Sequence, residues 1–465
     1  MQPGEGTIVV KEIGCFGDAR LARNGALLLE RMHERQSVCI RTLANERAEQ
    51  VRFGRFLANK EVTVEEMIAS RALLTAAAAA GRHVLALHDT SEINYQAQRR
   101  RKRALGTVGN GTDVGLFVHP VLAVDAQTSE CLGLVDARIW RRTTGKAADY
   151  KKLPIEAKES SRWLQAAGRA KTVLAGASLV TIVADREADI YEKWDRLPDQ
   201  RTHVLTRACR DRSLSDGRRL FATLAGFEQR HCFELDLTAR PGRKRTARKA
   251  TIAVRYGPVC IRRPRSCSDR QASPEIELFA IEAREIDPPP GQKPILWQLL
   301  TTHPVDSVEK AVTVIGWYRR RWDIEQLFRT LKQQGLRLEQ SVVENGEALE
   351  KLAAMALITA ATTMQLVAAR SAAEHAPPAS RVFTPQQLGV LAVLLKTLPR
   401  RTPKQHNPFP PHSLASAAWI IARLGGWTGY PSDKSNGPIT IRNGLQRFHA
   451  IAQGYNLAAQ HLCST

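Results

Sequence analysis

The stretch LVTIVAD, residues 179–185, decides the fold, because six uncharged residues run without interruption into a single aspartate. A run of this kind, without polar alternation, is typical of a strand buried on both faces of a sheet. A helix is predicted just before it, from Glu159 to Leu174, with Trp163 on its apolar side. Earlier still come three strand-like segments, and the resulting order βββαβ predicts an α/β core: 83–88, 116–124 and 132–140.

The flanks of this core differ from it in composition. Residues 201–300 are β-like and carry turn-rich basic runs, ARPGRKRTARK (239–249) and RRPRSCSDR (262–270), which predicts an insertion between core elements. A strand near 296–301 then leads into a long helical region from Ser307. Beyond it, residues 371–412 are rich in proline, and the last segments are helical with apolar faces suited to packing or self-association.

The N-terminal part reads as two short helices with several arginines, at 19–32 and 45–58. A third helix is signalled by a capping box, Thr63 and Glu66, and is expected to end at Gly81. These patterns predict three domains: 1–62, helical with a basic face; 63–370, the α/β core with a β-rich insertion at about 208–295; and 371–465, helical.

Charge points to a polyanionic partner. Lys+Arg 68 against Asp+Glu 46 gives a net charge of +22, spread over the whole chain rather than beside one amphipathic anchor, which favours nucleic acid over a membrane surface. The apolar stretch 352–369 contains threonines and a glutamine and is expected to be a buried helix, not a membrane span. The eight cysteines lack zinc spacing, and the N-terminus lacks a secretory signal, so a cytoplasmic protein with free thiols is expected.

Two aspartates end apolar strands, Asp89 in VLALHD and Asp185 in LVTIVAD. If the first and fourth strands are neighbours in the sheet, these carboxylates converge, and hard oxygen ligands are what Mg²⁺ prefers. A strand-end aspartate is also a common turn former or helix N-cap, and Asp185 has an adjacent helix to cap. Glu187 and Asp189 are rival ligands.

A third carboxylate lies in WYRRRWDIEQLFRTLKQQ, residues 317–334. On a continuous helix of about 100° per residue, five polar side chains share one arc of about 80° beside an apolar face. A carboxylate among a phenol and three cations suits a site that handles a phosphate beside a metal, whereas the alternative is a solvated helix with ion pairs. The five are Tyr318, Arg321, Glu325, Arg329 and Lys332.

The blocks HDTSEINY (88–95), ADREADIYE (184–192) and YRRRWDIEQLFRTLK (318–332) resemble the three active-site blocks of the DDE cut-and-paste transposases of bacterial insertion sequences. The spacing Y-(2)-R-(3)-E-(6)-K is similar to the signature of the insertion-sequence-four family with its Tn-five-like members. KESSRWL, ILWQLLTTHPV and IARLGGW extend the resemblance along the chain.

The resemblance implies a ribonuclease-H-like catalytic core with a β-strand insertion, flanked by the N-terminal DNA-binding domain and the C-terminal helical domain. It implies a metal-binding catalytic triad of Asp89, Asp185 and Glu325, with two Mg²⁺ ions that Mn²⁺ can replace. The implied reaction is nicking at transposon ends, release through a hairpin and joining of the 3′-OH to target DNA. The partners implied are double-stranded transposon-end and target DNA and, in the DNA complex, a second copy of the chain. The implied location is the bacterial cytoplasm, on the nucleoid when DNA-bound.

By the same resemblance, phosphates near the cleaved end are held by Tyr318, Arg321, Arg329 and Lys332; Trp297 stacks on a base drawn out of the duplex, and Arg207 contacts DNA. From the residues alone, a core tryptophan is the favoured interpretation of Trp297, and Arg207 is equally a structural ion-pair residue. The run at 99–103, RRRKR, is either a phosphate-contacting loop or a solvated surface. A non-catalytic DNA-binding derivative and a ribonuclease-H-type nuclease remain alternatives for the whole chain.

Overall fold

The structure, a computed structural model, describes residues 13–142, 153–237, 246–332, 335–370, 376–399, 402–430, 433 and 437–462. Residues 239–245 of the first basic run, Cys463 and the start of the third predicted domain at 371 lie outside the described residues. The helices are α1 Ala19–Arg35, α2 Ile40–Leu43, α3 Arg47–Ala58, α4 Val64–Ala79, α5 Ser161–Val173, α6 Tyr191–Arg196, α7 Leu220–Gly226, α8 Val308–Arg319, α9 Trp322–Leu331, α10 Gly346–Ala369, α11 Pro385–Thr397, α12 Leu414–Leu424 and α13 Pro438–Leu462. The strands are β1 His83–His88, β2 Ser91–Asn94, β3 Gly106–Val108, β4 Asp113–Asp125, β5 Cys131–Trp140, β6 Leu179–Ala184, β7 Thr202–Arg207, β8 Gln229–Leu237, β9 Arg248–Arg262, β10 Glu275–Ile286 and β11 Leu296–Thr301.

The chain divides into two compact units. The terminal unit contains residues 1–80, 90–145 and 323–465, and the central unit contains residues 81–89 and 146–322. Each unit is built from distant parts of the sequence, because the chain passes between them several times. The three-domain division remains a prediction.

In the central unit, the sheet order is β1-β6-β7-β11-β10-β9-β8. The first three strands are parallel, with Leu87 opposite Val183 and Val183 opposite Leu205, and the remaining pairs are antiparallel. The sequence prediction that strands 83–88 and 179–184 are neighbours is therefore confirmed. The β-rich insertion continues the same sheet, because β10 pairs with β11 and β11 with β7. The unit is a mixed α/β structure on a mixed sheet, consistent with a ribonuclease-H-like core.

Apolar composition explains why β1 and β6 are buried in this sheet. Their burial is nearly complete from Val84 to His88 and from Val180 to Ala184. Neither strand alternates polar and apolar residues, so both faces must be covered. On one face, Trp163 from α5 is fully buried and packs with Ala184 and Ala188.

The terminal unit holds the helices at both ends of the chain and the antiparallel strands β2–β5. Thr63 caps α4 by accepting from the Glu66 N–H at 3.2 Å. The reciprocal half of the predicted capping box is absent from the described contacts, because the Glu66 carboxylate accepts from the Cys15 N–H at 2.7 Å instead. The helix ends at Ala79, and Gly81 follows as the predicted C′ residue with φ of +70°, a conformation that favours glycine.

Helix α10 contains the long apolar stretch that is expected to be buried. Among the described residues it is the one helix long and apolar enough to cross a membrane, and 83% of its most apolar window is covered by protein. A core helix passes the same length and composition test, and this degree of burial is that of a core helix. The seven described cysteines are free thiols, as predicted.

Candidate active site

Asp89 and Asp185 follow the carboxyl ends of neighbouring parallel strands, β1 and β6. Since Leu87 lies opposite Val183, the two aspartates leave the sheet at the same level. Carboxyl ends of parallel strands are where α/β sheets present site residues, because the side chains there are not buried between strands and helices. The parallel register thus brings these two carboxylates to one edge.

One guanidinium joins the two aspartates. Arg321 Nη1 donates to Asp89 Oδ2 at 3.1 Å, and its Nη2 lies 3.8 Å from Asp185 Oδ2. The Arg321 side chain is 12% exposed and the carboxylates 22% and 30%, so the group is largely withdrawn from water. Two like charges side by side repel, and the guanidinium places a positive charge between them.

Tyr318 completes the group from α8. Its phenol donates to Asp185 Oδ1 at 3.1 Å, and the residue is 4% exposed. Burial, together with the Asp185 charge, raises the pKa of Tyr318 to about 12. The hydroxyl therefore keeps its proton over the physiological pH range and acts as a hydrogen-bond donor to Asp185.

The side chain of Asp185 does not cap a helix. Asp185 precedes a short 3₁₀ turn, Arg186–Ala188, but makes no side-chain capping hydrogen bond to it. Its oxygens face Tyr318 and Arg321 instead. The alternative reading of this aspartate as an N-cap is thus wrong.

The two other candidate ligands, Glu187 and Asp189, have different partners from Asp89 and Asp185. Asp189 is fully buried and forms an ion pair with Arg212, and its other oxygen accepts from the Cys209 N–H at 3.0 Å. Glu187 is exposed and pairs with Arg162 at 2.9 Å. The Asp189 carboxylate therefore stabilises the segment that follows β7. The Glu187 carboxylate forms a surface ion pair.

Trp297 and Arg207 lie on adjacent strands beside Tyr318. The Trp297 ring is partly exposed and meets the Tyr318 ring edge-on, with centroids 5.9 Å apart, so it is not an ordinary core tryptophan. Arg207 Nη2 donates to the Leu296 carbonyl at 2.6 Å, next to Trp297. Within the described part of the chain, no acidic side chain pairs with Arg207, which goes against a structural ion pair. The positive charge of Arg207 acts to lower the pKa of Tyr318, against the larger effect of burial.

A tryptophan that the sequence shows only as a helix-face residue supports both aspartates. Trp163 packs edge-on against His88, the residue before Asp89, with ring centroids 4.9 Å apart. It also packs with Ala184, the residue before Asp185. The signal for this role is its place in the KESSRWL block, although apolar periodicity alone does not distinguish it from any core residue.

The segment 318–332, which was predicted to be helical throughout, is not one continuous helix. Helix α8 ends at Arg319 and α9 begins at Trp322, with a turn closed by the Arg320 and Arg321 N–H groups donating to the carbonyls of Trp317 and Tyr318, both at 3.1 Å. The prediction that five polar side chains share one helical arc is therefore wrong in geometry. Because Arg321 lies in the break between the two helices, its side chain does not follow the helical periodicity.

Glu325, Arg329 and Lys332 belong to the terminal unit. Glu325 and Arg329 lie on α9, where Arg329 is exposed, and Lys332 follows its last residue. Lys332 Nζ lies 3.8 Å from Glu339 Oε1, and burial lowers the pKa of Lys332. The structure thus groups Asp89, Asp185, Tyr318, Arg321, Trp297 and Arg207 in the central unit and holds the other three in the terminal unit.

The donor set at the strand ends suits a divalent cation. Two carboxylates that converge on one positive charge are hard oxygen ligands of the kind that Mg²⁺ prefers, and Mg²⁺ keeps several waters when it binds one or two carboxylates. Among the residues the structure describes, no group of three His, Cys, Asp or Glu side chains is arranged to hold a metal ion. A cation here would therefore need further ligands beyond Asp89 and Asp185.

Comparison with known proteins gives the chain its family. The sequence matches the family described as "Transposase DDE domain" over residues 96–361, more than half of the chain. Among solved structures, the chain is similar to the piggyBac transposase synaptic complex with hairpin DNA, at 8% identity and a TM-score of 0.36, over 94% of this chain and 72% of that one. The family match spans the segment from the end of the first acidic block to helix α10, and on it we conclude that this chain belongs to the transposase DDE domain family.

Proposed function

We propose that this transposase is of the insertion-sequence-four, Tn-five-like kind. It binds double-stranded transposon ends, nicks them, excises the element through a hairpin intermediate and joins the freed 3′-OH ends to target DNA. Asp89, Asp185 and Glu325 are its metal ligands, for two Mg²⁺ ions that Mn²⁺ can replace. It works in the bacterial cytoplasm, on the nucleoid, without a membrane partner.

The observation that carries this proposal is the pair of strand-end carboxylates joined by Arg321. Paired carboxylates at a sheet edge are a ligand arrangement for phosphodiester chemistry by metal ions, which activate the attacking oxygen and stabilise the leaving one. Glu325 enters the proposal through its place in the signature that Tyr318, Arg321 and Lys332 share with it.

The protein's own groups have distinct tasks in this proposal. Tyr318 keeps its proton and holds Asp185 in one orientation by its hydrogen bond. Arg321 neutralises the carboxylates in the resting protein and is free to turn to a phosphate once another cation takes over that role. Arg329 and Lys332 contact further phosphates on the DNA backbone.

Arg207 and Trp297 suit the hairpin step. The partly exposed indole is available to stack on a base drawn out of the duplex, which contributes about 1–3 kcal/mol. Arg207 is fixed beside it through the Leu296 carbonyl and contacts the DNA backbone next to that base.

The remaining domains fit the same activity. The N-terminal helices carry exposed arginines, which suit binding to the ends of the element: Arg20, Arg23, Arg41, Arg47, Arg52 and Arg55. Helix α13 exposes Ile451, Tyr455 and Leu457, an apolar surface suited to the homodimer of the DNA complex. Both assignments follow from the family resemblance.

The test is incubation of the purified full-length chain with Mg²⁺ and linear DNA that carries the inverted repeats flanking its gene. We expect nicks at the repeat boundaries, followed by hairpin ends. Asp89→Asn, Asp185→Asn and Glu325→Gln should each lower nicking at least about a hundredfold while DNA binding persists, because the three act as a unit.

The matched control is Glu187→Gln, which removes a carboxylate from the same block but only breaks the surface pair with Arg162. It should nick like the wild-type protein. Nicking that survives in any triad variant, or is lost equally in Glu187→Gln, would refute the assignment of the three ligands.

A further inference from the structure

A run of four arginines around one lysine occupies an exposed turn of the terminal unit. The short 3₁₀ helix Gln96–Arg101 carries Arg99, Arg100 and Arg101, all exposed, and Arg103 follows two residues later. Within the described part of the chain, no acidic side chain pairs with Arg99, Arg100 or Arg101. Three consecutive exposed arginines thus have no acidic partner among the residues that the structure describes.

The lysine in the middle of the run is turned inward. Lys102 Nζ donates to the carbonyls of Ser341 and Val343, at 2.5 and 2.6 Å, and lies 4.8 Å from the centre of the Tyr95 ring. Burial lowers the pKa of Lys102 to about 8. Because these contacts hold the Lys102 side chain in one conformation, they also fix the backbone that carries the neighbouring arginines.

The two ends of the turn are fixed as well. The Arg103 N–H donates to the Glu344 carbonyl at 2.9 Å, and the Gly346 N–H donates back to the Arg103 carbonyl at 3.0 Å. At the start, the Tyr95 hydroxyl donates to the Leu338 carbonyl at 3.1 Å. The arginines therefore project from a turn whose backbone is fixed at both ends, not from a loose loop.

The contacts that fix the arginine turn also extend to Lys332. Glu339 Oε1 accepts from the Asn94 N–H at 3.2 Å and lies 3.8 Å from Lys332 Nζ, while its carbonyl accepts from Gln98 Nε2 at 3.1 Å. One glutamate thus connects the base of the arginine turn to the lysine of the Y-(2)-R-(3)-E-(6)-K signature. The connection lies wholly within the terminal unit.

From these contacts we infer that Arg99, Arg100 and Arg101 form a ridge that binds the phosphate backbone of duplex DNA, continuing the phosphate contact made by Lys332. The inference rests on the proposed function for the identity of the polyanion. Uncompensated guanidinium groups on a fixed support favour a phosphate partner, because little conformational freedom is lost when they bind. Side chains that follow one another in a 3₁₀ turn fan out by about 120°, so the ridge contacts more than one phosphate without reading bases.

The experiment compares wild type with Arg99→Gln/Arg100→Gln/Arg101→Gln in the full-length protein. DNA binding is measured without divalent metal, on a labelled duplex, over a salt series from about 50 to about 200 mM. Each lost phosphate contact should reduce the salt slope by about 0.9, so we expect a slope smaller by about two to three and an affinity at least about tenfold weaker at low salt.

The matched control is Arg262→Gln/Arg265→Gln/Arg270→Gln, which removes three exposed arginines near the β9–β10 connection. Both variants change the net charge from +22 to +19, since 22 − 3 = 19. The control should keep the wild-type slope. Equal slope changes in the two variants, or no change in the ridge variant, would overturn the inference.

The outcomes also separate the ridge from the catalytic proposal. A wild-type protein that cuts at the repeat boundaries, combined with a ridge variant of unchanged slope, refutes the ridge alone. A wild-type protein that does not cut, combined with a ridge variant of reduced slope, supports the ridge and refutes the proposed function.

Discussion

Removing the charge of Arg321 tests how the two strand-end carboxylates are held. In Arg321→Gln, Asp89 and Asp185 lose the guanidinium that lies 3.1 and 3.8 Å from their oxygens. Two opposite charges about 4 Å apart attract by about 4 kcal/mol at an effective dielectric constant of about 20, before desolvation is counted. Loss of one partner of a fully buried pair costs about 3–5 kcal/mol. Because these side chains are partly exposed, we expect a net loss of about 2 kcal/mol from the free energy of unfolding.

The same variant should gain affinity for Mg²⁺. In the wild-type protein, a cation must compete with the guanidinium for the carboxylates, and the substitution removes that competitor. We expect an affinity for Mg²⁺ about tenfold higher, equivalent to about 1.4 kcal/mol, and a larger rise of the thermal unfolding midpoint on adding Mg²⁺ than in wild type. Arg321→Lys is the matched control, since it keeps the charge and should keep affinity near that of wild type.

Calorimetric titration with Mg²⁺ and thermal unfolding with and without the ion measure both quantities. If Arg321→Gln has the stability of wild type and also binds Mg²⁺ no more tightly, then the guanidinium does not neutralise this pair and the reasoning is refuted. If Arg321→Lys gains as much affinity as Arg321→Gln, charge is not what the arginine contributes.

Three further outcomes are expected. Tyr318→Phe removes the 3.1 Å hydrogen bond to Asp185, a charged acceptor, and should lower the free energy of unfolding in denaturant by about 1.5–3 kcal/mol; an unchanged value would mean that the phenol does not hold the carboxylate. Trp297→Ala should slow hairpin formation more than the first nick in a gel assay that resolves the two products, and equal slowing would count against base stacking. Burial and the neighbouring His203 and His83 lower the pKa of His303 to about 3, below its unfolded value of about 6.5, so the unfolded chain binds the extra proton as pH falls. Stability should therefore be fully present above about pH 6.5 and fall by up to about 1.4 kcal/mol per pH unit towards pH 3, and His303→Gln should flatten this dependence in unfolding experiments at pH 7 and pH 5.

The middle of the fold could be predicted from the sequence because its signal is local. The strands 83–88 and 179–184 are mostly apolar runs, each followed by an aspartate, and the structure gives them the predicted bounds. The short strands Ser91–Asn94 and Gly106–Val108 escape prediction, because three or four residues of mixed polarity carry no periodicity.

The break between α8 and α9 also could not be predicted. The sequence WYRRRWDIEQ contains neither glycine nor proline, and its apolar residues keep a helical period on both sides. Arg321 leaves that period because it meets Asp89, a residue 232 positions earlier, across the edge of the sheet. Long-range pairing of this kind competes with local helical preference and is invisible in the local pattern.

The candidate site, too, could be predicted only where its signal is local in the sequence. The residue types and the spacing predicted that Asp89 and Asp185 converge, since parallel neighbours bring their carboxyl ends together. The support of both by Trp163, and the commitment of Asp189 to Arg212, depend on packing between elements far apart in sequence. A list of acidic residues could not tell the ligand candidates from the structural carboxylate.

The most direct test of the account is the position of the metal itself. Crystals of the full-length protein with transposon-end DNA and Mn²⁺, which accepts the same oxygen ligands as Mg²⁺, would locate the ion by its anomalous scattering. We expect a peak in contact with carboxylate oxygens of both Asp89 and Asp185, with the Arg321 guanidinium turned away from them. A Mn²⁺ peak elsewhere, or none beside these two carboxylates at saturating Mn²⁺, would contradict the account.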